Sequence, residues 1–335
     1  MKAFEIRERF GIDALTLTER PQPEPGPCEV LVQIRATSLN YRDLLVITGQ
    51  YNPRMPLPRI PLSDGAGEVV AVGTHVTRVS IGDRVTPIFT QTWLAGELDH
   101  AKSQSALGGA IDGVLSEYVV VHEQGLVRIP DHLSFAEAAT LPCAGVTAWN
   151  AVMHSGIQPG QSVLLMGTGG VSLFALQFAK LAGAQTIITS SSDDKLARAQ
   201  GLGAMHTINY RSHPDWDKQV RELTAQRGVD LVVEVGGAGT MPLSLKAVRV
   251  AGTIGMIGVL TGTGGEFNPL PAVMKHITLR GIYVGSRQMF EEMNQAITLH
   301  ELRPVIDRVF PFEVAPEALR YMQSAAHFGK IVVEF

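Results

Sequence analysis

From Ser162 onward the chain alternates short, continuous apolar runs with stretches of helical spacing, and this alternation limits the possible folds more than any other feature. Val163-Leu164-Leu165-Met166, Thr186-Ile187-Ile188-Thr189, the run from Val229 to Glu234, the run from Gly252 to Ile257 and the run from Thr278 to Val284 read as strands. Val171 to Leu181 and Lys195 to Leu202 read as helices between them. Strands apolar at nearly every position, rather than at every second one, are covered on both faces. That is the condition of a parallel sheet with helices on either side. The expected fold class is therefore α/β, with a doubly wound parallel sheet.

The first of these strands leads into Gly167-Thr168-Gly169-Gly170-Val171-Ser172, which opens a helix. Gly167 permits a tight turn, and Gly169 lets the main chain approach a pyrophosphate whose charge is favoured by the helix N-terminus. Ser172 stands where a third glycine usually allows close packing of helix on sheet. Taken alone the motif is an ordinary glycine turn. With a strand before it, a helix after it and further βα units beyond, it reads as a dinucleotide site.

Cofactor choice is set at the end of the second strand, where an acid would hold the ribose of NAD. Here the chain carries Ser190-Ser191-Ser192, with Lys195 just beyond. Hydroxyls and a cation accept a 2′-phosphate that a carboxylate would repel, so NADP(H) is expected ahead of NAD(H). Asp193 and Asp194 then fall in the first turn of a helix, where the dipole favours acids. The competing reading is that the serines only cap that helix.

The first 125 residues are rich in valine, proline and glycine and read as an irregular, mostly β region, with strands such as Val30 to Ile34 and Gly67 to Gly73. The pattern changes after Pro130, where a helix begins at Ser134, and the chain closes on a helix from Gln288 to about His300 and a strand from Lys330 to Phe335. A length of 335 residues suits two domains. A net charge of −4 offers no basic face for nucleic acid. Two cysteines, Cys28 and Cys143, build neither a disulfide framework nor a cysteine-rich zinc module. The N-terminus is interrupted by charge too early for a signal peptide, and no run reaches the length of a membrane span, so a cytoplasmic protein without a membrane partner is expected.

Several further stretches occur in a familiar order: Ser38-Leu39-Asn40-Tyr41-Arg42-Asp43, Gly49-Gln50-Tyr51, Leu62 to Val70, Val79 to Val85, Thr140 to Trp149 and Gly329-Lys330-Ile331-Val332. Through them the chain resembles the medium-chain dehydrogenase/reductase superfamily over essentially its whole length. It looks closest to the zinc-free quinone oxidoreductase-like members of the zinc-type alcohol dehydrogenase-like branch. The resemblance implies a GroES-like catalytic domain from residues 1–127 and 286–335, a Rossmann domain from 128–285, and an active site in the cleft between them. It also implies a homodimer paired through the last Rossmann strand.

In zinc-dependent relatives the metal ligands occupy slots that hold Asn40, Ser63 with Asp64, and Cys143 here. A catalytic zinc needs three good protein ligands, so a metal-free site is expected. The four-cysteine structural lobe is absent, since residues 90–116 hold no cysteine. Without a Lewis acid, hydride addition to a conjugated carbon or quinone is easier than reduction of a simple ketone. The resemblance makes Asn40 a group that orients the nicotinamide or binds the substrate carbonyl. It makes Tyr51 a donor to the developing enolate and Asp43 an orienting partner of Asn40. For Asn40 the alternative is a structural hydrogen-bonder, and for Tyr51 a rim aromatic.

On the cofactor side the resemblance implicates Thr147, Gly167, Thr168, Gly169, Gly170, Val171, Ser190, Ser191, Ser192, Lys195, Tyr210, Gly258, Val259, Leu260, Val284, Gly285, Ser286 and Lys330. Tyr210 is expected at the adenosine phosphate and Lys330 near the cofactor phosphates. Phe89, Trp93 and Arg287 are expected at the substrate. Three functions remain open on the sequence: an NADPH-dependent quinone or enone reductase, an alcohol dehydrogenase, and a non-catalytic NADPH-binding protein.

Overall fold

The computed structural model describes residues 1–262, 264 and 267–335. In chain order the strands are β1 (Lys2–Ile6), β2 (Leu15–Glu19), β3 (Glu29–Ser38), β4 (Asp64–Val72), β5 (Arg84–Pro87), β6 (Tyr118–His122) and β7 (Leu126–Arg128). There follow β8 (Ser162–Met166), β9 (Gln185–Ser190), β10 (His206–Asn209), β11 (Val229–Glu234), β12 (Val248–Met256) and β13 (Thr278–Gly281), then β14 (Ile306–Pro311) and β15 (Lys330–Glu334). They fall in two units, one formed by Met1–Val146 with Gly285–Phe335 and the other by Thr147–Val284.

In the Thr147–Val284 unit six strands form one sheet in the order β10-β9-β8-β11-β12-β13. Every pairing is parallel. The central strands β8 and β11 are buried at every residue, as their largely apolar runs predict. One face is packed by Leu164, Ile187, Ile208, Trp216, Val220 and Leu245. Elsewhere in the unit Trp149 meets Phe178 edge-on, and Phe178 stacks on Phe174 of the helix Gly170–Leu181. The strand order reverses direction between β8 and β11, and a ligand of such a sheet binds at the carboxyl ends of the strands near that point. The glycine turn follows β8 at that end.

In the other unit β3 is the central strand, paired antiparallel with β4, β6 and β15. The sheet runs β14-β15-β3-β4-β5-β7. Its core is built from Val30, Val32, Ile34, Val69, Val85, Ile331 and Val333. The chain's last strand thus completes a sheet begun by its first hundred residues, as the resemblance implies.

Two details differ from the sequence reading. Residues 128–146 and Gly285 pack with the first unit rather than the second. Ile129 N–H donates to Arg84 O, and the Cys143 N–H donates to Asp64. The compositional change after Pro130 marks the helix Phe135–Ala138, capped by Ser134 and Glu137, not the boundary. The strand expected through Val284 stops at Gly281. Val284 adopts φ 50°, a left-handed conformation costly for a β-branched residue, and Asn150 Nδ2 holds its carbonyl at 2.7 Å.

Candidate active site

The nucleotide side is built at the carboxyl ends of β8 and β9. Gly167 has φ 75° and its N–H donates to Thr189 Oγ1 at 3.3 Å. Gly169 is the N-cap of the twelve-residue helix Gly170–Leu181, and no side chain caps that terminus. A Cβ placed on Gly169 would meet nothing within 4 Å. The open space above an uncapped helix N-terminus fits a pyrophosphate, whose oxygens take the unpaired N–H groups of the first turn. Ser172 keeps the third fingerprint position tight by turning its hydroxyl inward onto Met166 O at 2.6 Å.

Ser190 is buried, its hydroxyl 3.4 Å from Thr168 Oγ1. Ser192 caps the helix Asp193–Gly201 with its Oγ accepting from the Lys195 N–H, as the competing reading of the serines has it. The β9–β10 pairing sets Asn209 opposite Ser190, and the Tyr210 N–H donates to Ser190 O. Tyr210 is exposed beside the serines. Asp193 is held by Asn209 Nδ2 at 2.7 Å. Hydroxyl and phenol groups are thus gathered at the end of β9, with the Asp193 carboxylate engaged by Asn209.

Thr147 is buried in the same unit. Gly258 lies so close to β11 that a Cβ would fall 2.3 Å from Val235 O. The N–H groups of Gly258 and Leu260 are given to Glu234 O and Val235 O, while the Val259 and Leu260 side chains are exposed. Glu234 anchors this region and is absent from the sequence reading. Its carboxylate accepts from Gly236 and Gly237 N–H and from the Thr240 and Ser244 hydroxyls. The acid before Gly236-Gly237 is the only sequence signal for it.

In the unit formed by both ends of the chain, Asn40 lies two residues beyond β3 and is the N-cap of the helix Tyr41–Ile47. Its N–H donates to Asp43 Oδ2 at 2.8 Å. Lys330 Nζ donates to Asn40 Oδ1 at 2.7 Å and to Leu39 O at 2.6 Å. Ser63 Oγ donates to Asp64 Oδ1 at 2.7 Å, and the Cys143 N–H donates to Asp64 Oδ2 at 3.0 Å. Asn40, Asp43, Ser63, Asp64 and Lys330 are all buried.

Burial pushes the Asp43 carboxyl up to about 7, with Arg42 opposing and Asp64 reinforcing the shift. Burial also raises Asp64, against the pull of Lys330, Ser63 and Asn40. Burial and the charge of Asp64 push the Cys143 thiol far up. Burial lowers Lys330, opposed by Asp64.

The shift of Asp43 carries a pH signature. The native state holds this proton up to about pH 7, whereas the ordinary carboxyl releases it at 3.8. The stability linked to it is complete below about pH 4 and is lost as pH rises through 7, at no more than about 1.4 kcal/mol per pH unit. Asp43→Asn keeps an acceptor for the Asn40 N–H but cannot titrate. Its urea midpoint should change less between pH 5 and pH 8 than the parent's; parallel curves for the two proteins would refute the shift.

Tyr51 is exposed, and Arg42 lies between its ring and that of Phe89, at 5.1 and 4.9 Å from the centroids. Arg42 also donates to Leu107 O at 2.6 Å, so it fixes the segment that carries Tyr51. Phe89 and Trp93 are buried, and Trp93 Nε1 donates to Gly96 O.

The Arg287 guanidinium donates to Gln124 O and Oε1 and so ties two segments of its unit together. Gly285 and Ser286 lie in the unit of the chain ends, where Ser286 caps the helix Arg287–Leu299. Lys330 is only 3% exposed, and its ammonium donates to Leu39 O and Asn40 Oδ1.

Residues 26–131 match the alcohol dehydrogenase GroES-like domain, and residues 170–299 match the zinc-binding dehydrogenase domain. A zinc-type alcohol dehydrogenase-like protein of Schizosaccharomyces pombe is 44% identical, the match covering 98% of this chain and 97% of the relative. The chain is a medium-chain dehydrogenase/reductase. It is thus an NAD(P)(H)-dependent oxidoreductase with a GroES-like unit and a Rossmann unit. Among solved structures, a putative alcohol dehydrogenase of Sinorhizobium meliloti superposes with a TM-score of 0.92 at 43% identity, covering 100% of this chain and 99% of that one. A quinone oxidoreductase of Pseudomonas syringae gives 0.84 at 28% identity, with coverage of 100% and 99%. No helix among the described residues of this dehydrogenase/reductase is long and apolar enough to cross a membrane.

The donor set at the metal slots does not fit a catalytic zinc. Asn40 Oδ1 is taken by an ammonium, Ser63 gives its proton to Asp64, and the Cys143 thiol is held away from the thiolate that zinc requires. The buried Lys330 charge would also repel a divalent cation.

Proposed function

We propose that this medium-chain dehydrogenase/reductase uses NADPH to reduce a conjugated carbonyl compound or a quinone, without a catalytic metal. The observation that carries this reading is the buried Lys330 ammonium bonded to Asn40 in place of a zinc centre. When bound, the reduced nicotinamide supplies the hydride. The protein then has to hold the acceptor's oxygen as negative charge grows on it. Asn40 and the exposed Tyr51 phenol are the groups we assign to that oxygen, with Asp43 fixing the Asn40 backbone. Delocalisation through a conjugated system lowers the demand on these donors, which is why an enone or quinone suits them better than an isolated ketone.

The preference for NADPH rests on Ser190, Ser191, Ser192, Lys195 and Tyr210 at the end of β9, with no acid in the three serine positions. Lys195→Ala should weaken NADPH by about 1–2 kcal/mol and leave NADH nearly unchanged, as read by fluorescence titration of both nucleotides. Equal losses for the two would remove Lys195 from the phosphate site.

We further propose that the protein is a homodimer. Among the described residues strand β13 pairs only with β12, and Leu270, Val273 and Met274 nearby are exposed. A second copy adding its own β13 would satisfy the open edge. Light scattering should give twice the chain mass of 36.1 kDa. A monomer at micromolar concentration would exclude that arrangement.

A further inference from the structure

The strand order β10-β9-β8-β11-β12-β13 decides which way a dinucleotide lies on the Thr147–Val284 unit. With its pyrophosphate on the turn after β8 and its adenosine on the serines after β9, its nicotinamide falls on the other side, toward β11, β12 and β13. At the carboxyl end of β13 the ladder runs one step further, the Ile282 N–H donating to Met256 O. The chain then turns at Val284, which is buried at φ 50°. Among the described residues the Val284 N–H makes no hydrogen bond, whereas its carbonyl accepts from Asn150 Nδ2 at 2.7 Å.

Asn150 is buried and is itself fixed. Arg280 Nη2 donates to Asn150 Oδ1 at 2.7 Å, and Arg280 Nη1 donates to the carbonyls of Asn150 and His154 at 3.2 and 2.9 Å. A guanidinium offers donors only, so the amide oxygen faces it and the amide nitrogen is turned to Val284. Arg280 stands on β13 and Asn150 on the helix Val146–Val152, so strand and helix together hold one left-handed β-branched residue. Such a conformation persists where its surroundings over-determine it, and it gathers at ligand sites. The donor it leaves unpaired lies at the end of the sheet toward which the nicotinamide falls, and the carboxamide of that ring carries an acceptor oxygen.

We infer that Asn150, set by Arg280, is a positioning residue that holds Val284 left-handed so that the Val284 N–H donates to the nicotinamide end of the bound nucleotide. This role rests on the pyrophosphate lying at the glycine turn and needs no particular substrate.

Asn150→Leu keeps the volume and removes the donor. By calorimetric titration it should bind NADP⁺ and NAD⁺ about fivefold more weakly, the usual effect of one hydrogen bond. The counterparts that lack the nicotinamide, 2′-phospho-ADP-ribose and ADP-ribose, should bind within about twofold of the parent. Reading each nucleotide against its own counterpart makes the result independent of which one the protein prefers. Equal losses for a nucleotide and its counterpart would reduce Asn150 to a structural role, and unchanged affinity for all four ligands would overturn the assignment. Arg280→Met should lower the same ratio, with little further loss when it is added to Asn150→Leu, because it acts through that amide; additive losses would contradict this. If Asn150→Leu does not fold, Arg280→Lys, which gives up the second arm of the fork, carries the same prediction. Failure of the pyrophosphate site itself is read separately, in Gly169→Ala.

Discussion

Replacing Gly169 with alanine should leave the protein folded and at least about tenfold weaker for the nicotinamide nucleotide, a loss of roughly 1.4 kcal/mol or more. Gly169 has φ −82°, which any residue adopts, and a Cβ there touches no protein atom. Folding gives no reason for a glycine at this position. The requirement comes from whatever approaches the helix N-terminus. The urea midpoint should therefore stay within the range of surface substitutions, about 0.5 kcal/mol. Gly258 is the internal contrast, because its Cβ would fall 2.3 Å from Val235 O and its replacement should destabilise the fold itself. Unchanged nucleotide affinity in Gly169→Ala would show that the pyrophosphate is not held at this turn.

Tyr51→Phe removes a hydroxyl and keeps the ring that packs against Arg42 at 5.1 Å. If the phenol donates to the acceptor oxygen, turnover of an enone should fall by about 2.7–4 kcal/mol in activation terms, the usual effect of losing one oxyanion donor. Nucleotide affinity should hold, because its determinants lie in the Rossmann unit. Turnover at the parent rate would reduce Tyr51 to part of a wall and leave proton delivery to solvent or to the Asn40–Asp43 neighbourhood.

The Rossmann half was the more legible in sequence because its signals are local. A strand buried on both faces is apolar at most positions, and β8 and β11 are, with Ser162, Asp230 and Glu234 as hydrogen-bonded exceptions. The turn from Gly167 to Gly169 sits where strand and helix patterns meet. The pairing of Ser134 with Glu137 likewise marks its helix start within four residues. By contrast, Lys330 and Asn40 lie 290 positions apart, and their contact follows from the β3–β15 register alone. A lysine near a chain end carries no sign that it will be buried. The contact of Arg287 with Gln124 was hidden for the same reason: the two lie 163 residues apart. Strand β10 and the helix Trp216–Leu223 escaped notice because each is short, and half or more of its positions are polar. The end of β13 was misjudged because a run of strand-forming residues does not reveal a single left-handed one at Val284.

The central claim is that hydride goes to a conjugated acceptor without a metal. The most direct measurement follows NADPH oxidation by the chelator-treated protein, with a quinone and an enone on one side and a simple ketone on the other, together with alcohol oxidation in the reverse direction. The account predicts turnover of the quinone or enone at the same rate before and after chelation, with little activity on simple alcohols or ketones. Brisk alcohol oxidation that disappears on chelation and returns with zinc would contradict it.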